Sequence, residues 1–353
     1  MIHAPDLEEV FPRIPLGTFP TPVTRLDLPG VAGDLWVKRD DRSGDEYGGN
    51  KVRKLEFLLA VARREGAGRV VTAGALGSHH ALATTVYGHR LGFGVSLVLC
   101  PQKVTDEVRH VLKLEVDRGA EIRIVPRMEL IPPALVLQQI LRRRERPYVI
   151  PPGGSNAAGT LGYVRAALEL LDQVDAGELP LPDTIHVACG TMGTAVGLAV
   201  GLSLRKVPTR VKAVRVVGTL VANERGLKRL ARDTLQAMSG LAPTLPSVNE
   251  VLARLELRHD QVGPGYAKPT AHAREAMTRF GRAGLELDPT YTAKTAAGLL
   301  SSLEEGGKPS GAQLYWHTLS HGLPEALAGA LPAEVPEGVR RVLEPGAERV
   351  DDR

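Results

Sequence analysis

Short apolar runs rich in β-branched residues alternate with amphipathic helical patterns along almost the whole chain, and this alternation restricts the fold more than any other feature. Strand-like segments at 34–41, 69–74, 94–100, 121–125 and 148–152 are separated by helical patterns at 50–65, 78–91, 105–118 and 129–144. The second half repeats the scheme, with a helix at 158–173, strand 184–189, helix 194–205, strand 211–218 and helix 222–239. Helices at 270–282 and 292–304 and a strand at 312–318 follow. Parallel strands need a crossover connection, usually a helix, so the alternation predicts βαβ units and an α/β fold built on parallel sheet. The stretch from about 241 to 268 is irregular and rich in Pro and Gly, and reads as a functional lid rather than a linker.

At 353 residues the chain is long enough for two domains, each with its own core. Its 44 basic and 40 acidic residues are spread along the sequence, too evenly for a nucleic-acid binder. The densest basic run, LRRRER at 141–146, reads as the solvated end of a helix. Two cysteines, Cys100 and Cys189, are too few for a disulfide framework and point to a reducing cytoplasm. The N-terminus lacks a basic region leading into an apolar core, and no apolar run approaches bilayer length. The expectation is a soluble cytoplasmic protein with no membrane partner.

Ligands of open parallel sheets bind at the carboxyl ends of the strands. The loops there are SGDEYGGNK, AGALGSHH, PPGGSN, ACGTMGT and WHTLSHG, all rich in glycine, hydroxyls or histidine. One of them sets Lys51 at the mouth of a helix, where the macrodipole disfavours a cation, so the lysine needs a task. Another, GTMGT, offers closely spaced backbone N–H groups at a helix N-terminus, a place for a phosphate. It lacks both the lysine of a Walker loop and the G-x-G-x-x-G spacing, so no nucleotide is indicated. A phosphate cradle in one half and a lysine on a glycine loop in the other suggest pyridoxal phosphate.

The segments VKRDDRSGDEYGGNKVRKLEFLL, PPGGSNAAGTLGYVRAALEL, GPGYAKP and LDPTYTAKTAAGLL, in this order from about residue 10 to 330, resemble the D-cysteine desulfhydrase and 1-aminocyclopropane-1-carboxylate (ACC) deaminase family of pyridoxal phosphate enzymes. That family shares the fold of the tryptophan synthase β subunit. The resemblance implies two open, mostly parallel sheets flanked by helices, with the cofactor in the cleft between domains. It assigns residues 1–51 and 156–345 to a large cofactor-binding domain and 52–155 to a small α/β domain. Lys51 is similar to the Schiff-base lysine, whose amine must be neutral to attack an aldehyde; the positive helix end would lower its pKa in that direction. Asn50 and Lys54 resemble polar residues flanking the cofactor. Gly190, Thr191, Gly193 and Thr194 match the phosphate loop, together with Met192 within it. Ser78 resembles the serine that contacts the substrate carboxylate, and Tyr266 and Tyr291 match two active-site tyrosines. Thr318 resembles the hydroxyl residue facing the pyridine nitrogen.

Three positions depart from the family pattern. His79 stands where an asparagine is usual beside the cofactor's phenolic oxygen, Met192 replaces a glycine, and Leu319-Ser320 replaces Gly-Gly. ACC deaminases carry a glutamate where this chain has Thr292; hydroxyls at Thr292 and Thr318 imply a neutral pyridine, suited to eliminating a good leaving group at Cβ. The resemblance therefore implies a lyase acting on a small amino acid, D-cysteine desulfhydrase-like, giving pyruvate, ammonia and sulfide. ACC deamination is the alternative within enzymes, and a pyridoxal phosphate-binding protein without turnover the alternative outside them. A homodimer is expected, and no metal.

Overall fold

The computed structural model describes residues 2–31, 33–44, 46–241, 244–305, 311–320 and 335–343. His321 and Gly322 of the WHTLSHG loop, and residues 344–345 of the expected large domain, lie outside them. In chain order the elements are α1 (Ala4–Val10), β1 (Val23–Arg25), β2 (Leu35–Arg39), α2 (Asn50–Arg64), β3 (Arg69–Ala75), α3 (His79–Arg90), β4 (Gly94–Cys100) and α4 (Asp106–Asp117). Then come β5 (Glu121–Ile124), α5 (Ile131–Leu141), β6 (Pro147–Val149), α6 (Ala157–Asp175), β7 (Thr184–Cys189), α7 (Gly193–Leu204), β8 (Arg210–Arg215) and α8 (Glu224–Ala237). The last are α9 (Val248–Leu252), β9 (Leu255–Arg258), α10 (Ala271–Arg282), α11 (Thr292–Glu305), β10 (Gln313–His317) and α12 (Glu337–Leu343).

Contacts divide the chain into two compact units, with boundaries after Phe57, inside α2, and after Gly154. The first unit holds a six-stranded sheet in the order β1-β2-β10-β7-β8-β9, parallel except for β1 on β2. Alternation along β10 shows how the sheet is covered. Leu314 and Trp316 enter a core with α6, α7 and α8, while Tyr315 enters another with α10 and α11. Both faces are therefore dry, as a parallel sheet requires.

The second unit carries the parallel sheet β5-β4-β3-β6. Its core includes Ala73 and Val98 from the strands and Ile131 and Ala134 from α5. Helix α12 packs on α4 and β5, so this C-terminal piece groups with the second unit rather than with the domain to which the sequence assigns it. The cause is local: Val339 and Val342 are buried there.

The described residues of the 241–268 stretch hold more regular structure than their composition suggests. Ser247 and Glu250 form a capping box that starts α9, and β9 pairs with β8 as the sheet's edge. A five-residue helix and a four-residue strand are too short to show periodicity, which is why the segment reads as a loop.

Glu115 is an anomaly on α4. Its carboxylate is fully buried, and neither oxygen has a hydrogen-bond partner among the described residues. Burial pushes its pKa well above the usual carboxylate range, so it folds as the neutral acid. Below the unfolded-state pKa the group is protonated in both states and neutral to stability. As pH rises past that value only the unfolded chain ionises, and stability falls until the folded pKa is reached. Glu115→Met should therefore stabilise the protein by roughly 1–3 kcal/mol at pH 8 and by much less at pH 4. Urea unfolding of both proteins at the two pH values checks this; an equal gap at both would contradict it.

Candidate active site

The turn before α2 is shaped by a tight approach. Gly49 has φ +103°, and a Cβ there would lie 2.8 Å from the Leu319 carbonyl oxygen. The Ser43 hydroxyl brackets the turn, accepting from Gly49 N–H at 3.0 Å and donating to its carbonyl at 2.9 Å. Asn50 and Lys51 open α2 directly after it. The Lys51 amine is pushed down to about 8, and burial is the cause. Desolvation, rather than the helix end that the sequence points to, supplies the shift.

Arg53, two residues on, holds this helix turn in place. Its guanidinium donates to Asp40 through Nε and Nη2, at 3.0 and 2.8 Å, and to both oxygens of Glu169 at 2.9 Å. Asp40 also accepts from Thr21, Tyr163 and Trp316. Lys38 completes the cluster by donating to Glu169 at 2.7 Å. Burial alone would raise the Glu169 carboxyl, but Arg53 and Lys38 more than offset it and hold the group well below the usual carboxylate range.

Lys54 is one turn from Lys51. It is buried, and its Nζ donates to Ser155 Oγ at 3.1 Å. Burial, then the neighbouring Lys51, pushes its pKa well below that of a free lysine. Ser155 Oγ lies 2.7 Å from Thr191 Oγ1 and accepts from Gly193 N–H at 3.3 Å. A Cβ on Gly193 would lie 2.6 Å from Ser155 Oγ and 2.9 Å from Lys54 Nζ, so only glycine leaves this approach open. Lys54, Ser155, Thr191 and Gly193 thus meet at the N-terminus of α7, with buried Thr194 in its first turn.

Met192 caps α7 at φ 68°, the left-handed region that glycine favours. A side chain held there costs about 1–2 kcal/mol. The thioether lies away over α8, where the missing side chain of Gly226 makes room: a Cβ on Gly226 would lie 2.6 Å from the Met192 methyl carbon. The methionine therefore keeps the backbone path of the usual glycine.

Tyr291 precedes α11 and donates its hydroxyl to the Tyr266 hydroxyl at 2.9 Å, the rings meeting edge to face at 5.9 Å. Burial and then Tyr266 push its pKa well above that of a free phenol, so Tyr291 remains a proton donor. A Cβ on Gly190 would lie 3.3 Å from the Tyr291 ring, which places the pair beside the phosphate loop. Lys294, one turn along α11, is buried and donates to the carbonyls of Val262 at 2.8 Å and Gly265 at 3.0 Å. It ties down the loop bearing Tyr266, where Ala267 adopts φ 56°. Thr292 is engaged elsewhere: its hydroxyl donates to Asp288 Oδ2 at 2.5 Å, and Asp288 accepts the N–H groups of 290, 291 and 292 as the cap of α11. The Thr292 hydroxyl thus joins the cap of α11. Thr318 follows β10 and is buried.

Ser78 and His79 lie in the second unit. Ser78 is the N-cap of α3, accepting from Ala81 N–H. His79 reaches α4, with Nε2 3.3 Å from Glu107 Oε1.

The first unit therefore brings together Asn50, Lys51, Lys54, the 190–194 loop and the two tyrosines. Sequence reasoning passed over Ser155, Asp288, Lys294 and Arg53. Ser155 belongs to the GGSN block, and Lys294 stands three residues after Tyr291, but a sequence offers no sign that either side chain turns inward. The residues fit pyridoxal phosphate. The glycine cradle with its α7 amides suits a phosphate, Lys54 adds an amine that a bound anion would help to keep charged, and Lys51 supplies an amine pushed down to about 8. Among the described residues no helix is long and apolar enough to cross a membrane.

The model of the family described as "Pyridoxal-phosphate dependent enzyme" matches residues 14–315. The nocardicin C-9' epimerase of Nocardia uniformis subsp. tsuyamanensis is 34% identical over 332 residues, 92% of this chain and 97% of the epimerase. The D-cysteine desulfhydrase of Klebsiella pneumoniae is 34% identical over 322 residues, 87% and 94% of the two chains. A crystal structure of an ACC deaminase homologue superposes with TM-score 0.76 at 32% identity, covering 90% of this chain and 94% of its own. With the lysine, the glycine cradle and both parallel sheets in place, the chain belongs to the pyridoxal-phosphate-dependent enzymes, in the group that includes D-cysteine desulfhydrase and ACC deaminase.

Proposed function

We propose that this enzyme removes the Cα proton of a small amino acid and eliminates its Cβ substituent, as a D-cysteine desulfhydrase-like lyase working as a cytoplasmic homodimer. Pyridoxal phosphate, when bound, supplies the electron sink that makes the Cα proton acidic. Lys51 Nζ is assigned that proton, and a pKa near 8 gives it the base strength the step needs. Ser78 is assigned the substrate carboxylate. The tyrosine pair carries the reading: Tyr291, held well above the pKa of a free phenol, keeps its proton and is hydrogen-bonded to Tyr266 beside the phosphate loop, and one of these two hydroxyls is assigned the proton for the departing sulfur. With cysteine, the Cβ–S bond breaks, sulfide leaves, and the released 2-aminoacrylate takes up water to give pyruvate and ammonia. Thr292 supports elimination over ring opening, because it brings no carboxylate of its own and its hydroxyl is bound to Asp288. The free, buried Cys100 and Cys189 fit a reducing compartment.

A second reading has support of its own in the likeness to an epimerase over 97% of that protein's length. Epimerisation needs the same Cα proton removed but returned on the opposite face, with nothing lost at Cβ. Incubation with D-cysteine, L-cysteine and ACC in D2O separates the cases. Keto acid release with sulfide supports the lyase; deuterium at Cα of recovered, inverted amino acid supports the epimerase. Keto acid from ACC alone would indicate the deaminase, and no change in any substrate a binding protein without turnover.

Three variants test the roles. Lys51→Ala should lose the yellow absorbance of the protein-bound cofactor near neutral pH and all turnover; unchanged absorbance would place the attachment elsewhere. Gly193→Val should weaken cofactor binding by tenfold or more, about 1.4 kcal/mol, in equilibrium dialysis, whereas wild-type affinity would mean the loop is only a turn. Lys294→Met should release the Tyr266 loop and lower kcat on the order of 10–100-fold, with cofactor affinity retained. Full kcat in that variant would show that the clamp is dispensable.

A further inference from the structure

Six arginines and lysines are buried among the described residues: Lys38, Arg53, Lys54, Arg69, Arg215 and Lys294. Five of them are bonded within the fold. Lys38 and Arg53 meet Glu169, Arg69 meets Glu145, Lys54 meets Ser155, and Lys294 meets two backbone carbonyls. Arg215 is 9% exposed and makes no hydrogen bond or ion pair with any described residue, and its Nε is sealed from solvent without an acceptor. A guanidinium is always charged and carries five N–H donors, so burying one unpaired is costly unless a group from outside the chain meets it.

The place of Arg215 in the sheet identifies that group. It is the last residue of β8, and the parallel register sets it beside Cys189, which leads into the 190–194 loop. Val216 N–H donates to the Cys189 carbonyl at 3.2 Å, so the two strand ends stay paired up to that loop. Alternation fixes the face. Val187 and Cys189 of β7 and Val211 and Ala213 of β8 enter the core with α6, α7 and α8, and Arg215, two residues after Ala213, extends on the same side, the side of the helix whose N-terminus forms the glycine cradle. Burial pushes the Cys189 thiol up to about 12, while Lys54 and then Arg215 oppose the rise, so one thiol lies within electrostatic reach of both cations. We infer that Arg215 is a second cation of the α7 anion site, and that its guanidinium meets the cofactor's phosphate together with Lys54. The planar fork of an arginine matches two phosphate oxygens, where a lysine offers a point charge. Burial weakens the hold of the Lys54 amine on its proton, whereas a guanidinium stays charged, so Arg215 gives the cradle a positive charge that desolvation does not remove.

This inference rests on the phosphate lying at the 190–194 loop. Equilibrium dialysis of the full-length protein, freed of cofactor, against pyridoxal phosphate and against pyridoxal, which lacks the phosphate, tests it. Arg215→Met should weaken pyridoxal phosphate binding by tenfold or more and leave pyridoxal binding unchanged, because only the phosphate meets the guanidinium. Arg215→Lys should fall between, keeping the charge and losing the fork. Equal losses for the two ligands would make Arg215 a structural residue and overturn the inference, as would wild-type affinity for both. The ratio of the two constants decides, since a folding fault moves them together. Should circular dichroism show Arg215→Met unfolded, Arg215→Lys is read by the same ratio, and an unchanged ratio overturns the inference. Gly193→Val in the same dialysis separates this inference from the reading beneath it. Weakened pyridoxal phosphate binding in that variant, with none in Arg215→Met, overturns the role of Arg215 alone; unchanged binding in both removes the phosphate from the loop and the inference with it.

Discussion

A guanidinium taken out of water is tolerable only where carboxylates meet it in good geometry, and Arg53 is such a group. It is 1% exposed and bound by Asp40 and Glu169, with Lys38 balancing the second carboxylate. Removing one partner would leave an uncompensated buried charge, at a cost of about 3–5 kcal/mol. The cluster joins β2, the end of β10, α6 and the first turn of α2 through Lys38, Trp316, Glu169 and Arg53. Lys51 lies two residues before Arg53, so the pose of its amine is inherited from this network rather than from the glycine turn alone.

Around that anchor the site concentrates positive character in buried places. Lys51 and Lys54 are both pushed below the ordinary lysine range, first by burial. An anion held at the α7 amides would relieve the cost of keeping Lys54 charged, and so phosphate affinity and lysine titration are two views of one balance. Lys294 uses a buried amine differently, as a donor to two backbone carbonyls that would otherwise be hard to satisfy in a loop with positive φ at Gly263, Gly265 and Ala267. The left-handed backbone at Ala267, next to Tyr266, is thus held by a side chain from α11.

The departures from the family pattern have local physical solutions. Met192 keeps a left-handed backbone and sends its side chain over Gly226, so its bulk does not enter the cradle. His79 turns Nε2 to Glu107 on α4, and the Glu107 carboxyl is lowered by that hydrogen bond. Thr292 joins the cap of α11. Met192 and His79 are each paired with a residue distant in sequence, whereas Thr292 is paired within its own helix cap.

The chain by itself determined the order of strands and helices, because the two hydrophobic periods are properties of neighbouring residues. The strand over 184–189 and the helix starting at Asn50 coincide with those the sequence predicts. The GGNK turn and the GTMGT loop were also legible, since closely spaced glycines between a strand and a helix mark a tight turn or a close backbone approach. Short edge elements such as α9 and β9 were not, having too few residues to repeat a pattern. Only the tertiary structure decided that Ser155 joins Lys54 to the phosphate loop and that Lys294 holds the loop bearing Tyr266. It also decided that burial sets the Lys51 pKa. Burial and long-range hydrogen bonds depend on which distant segments arrive at the same point, and no local spacing carries that information.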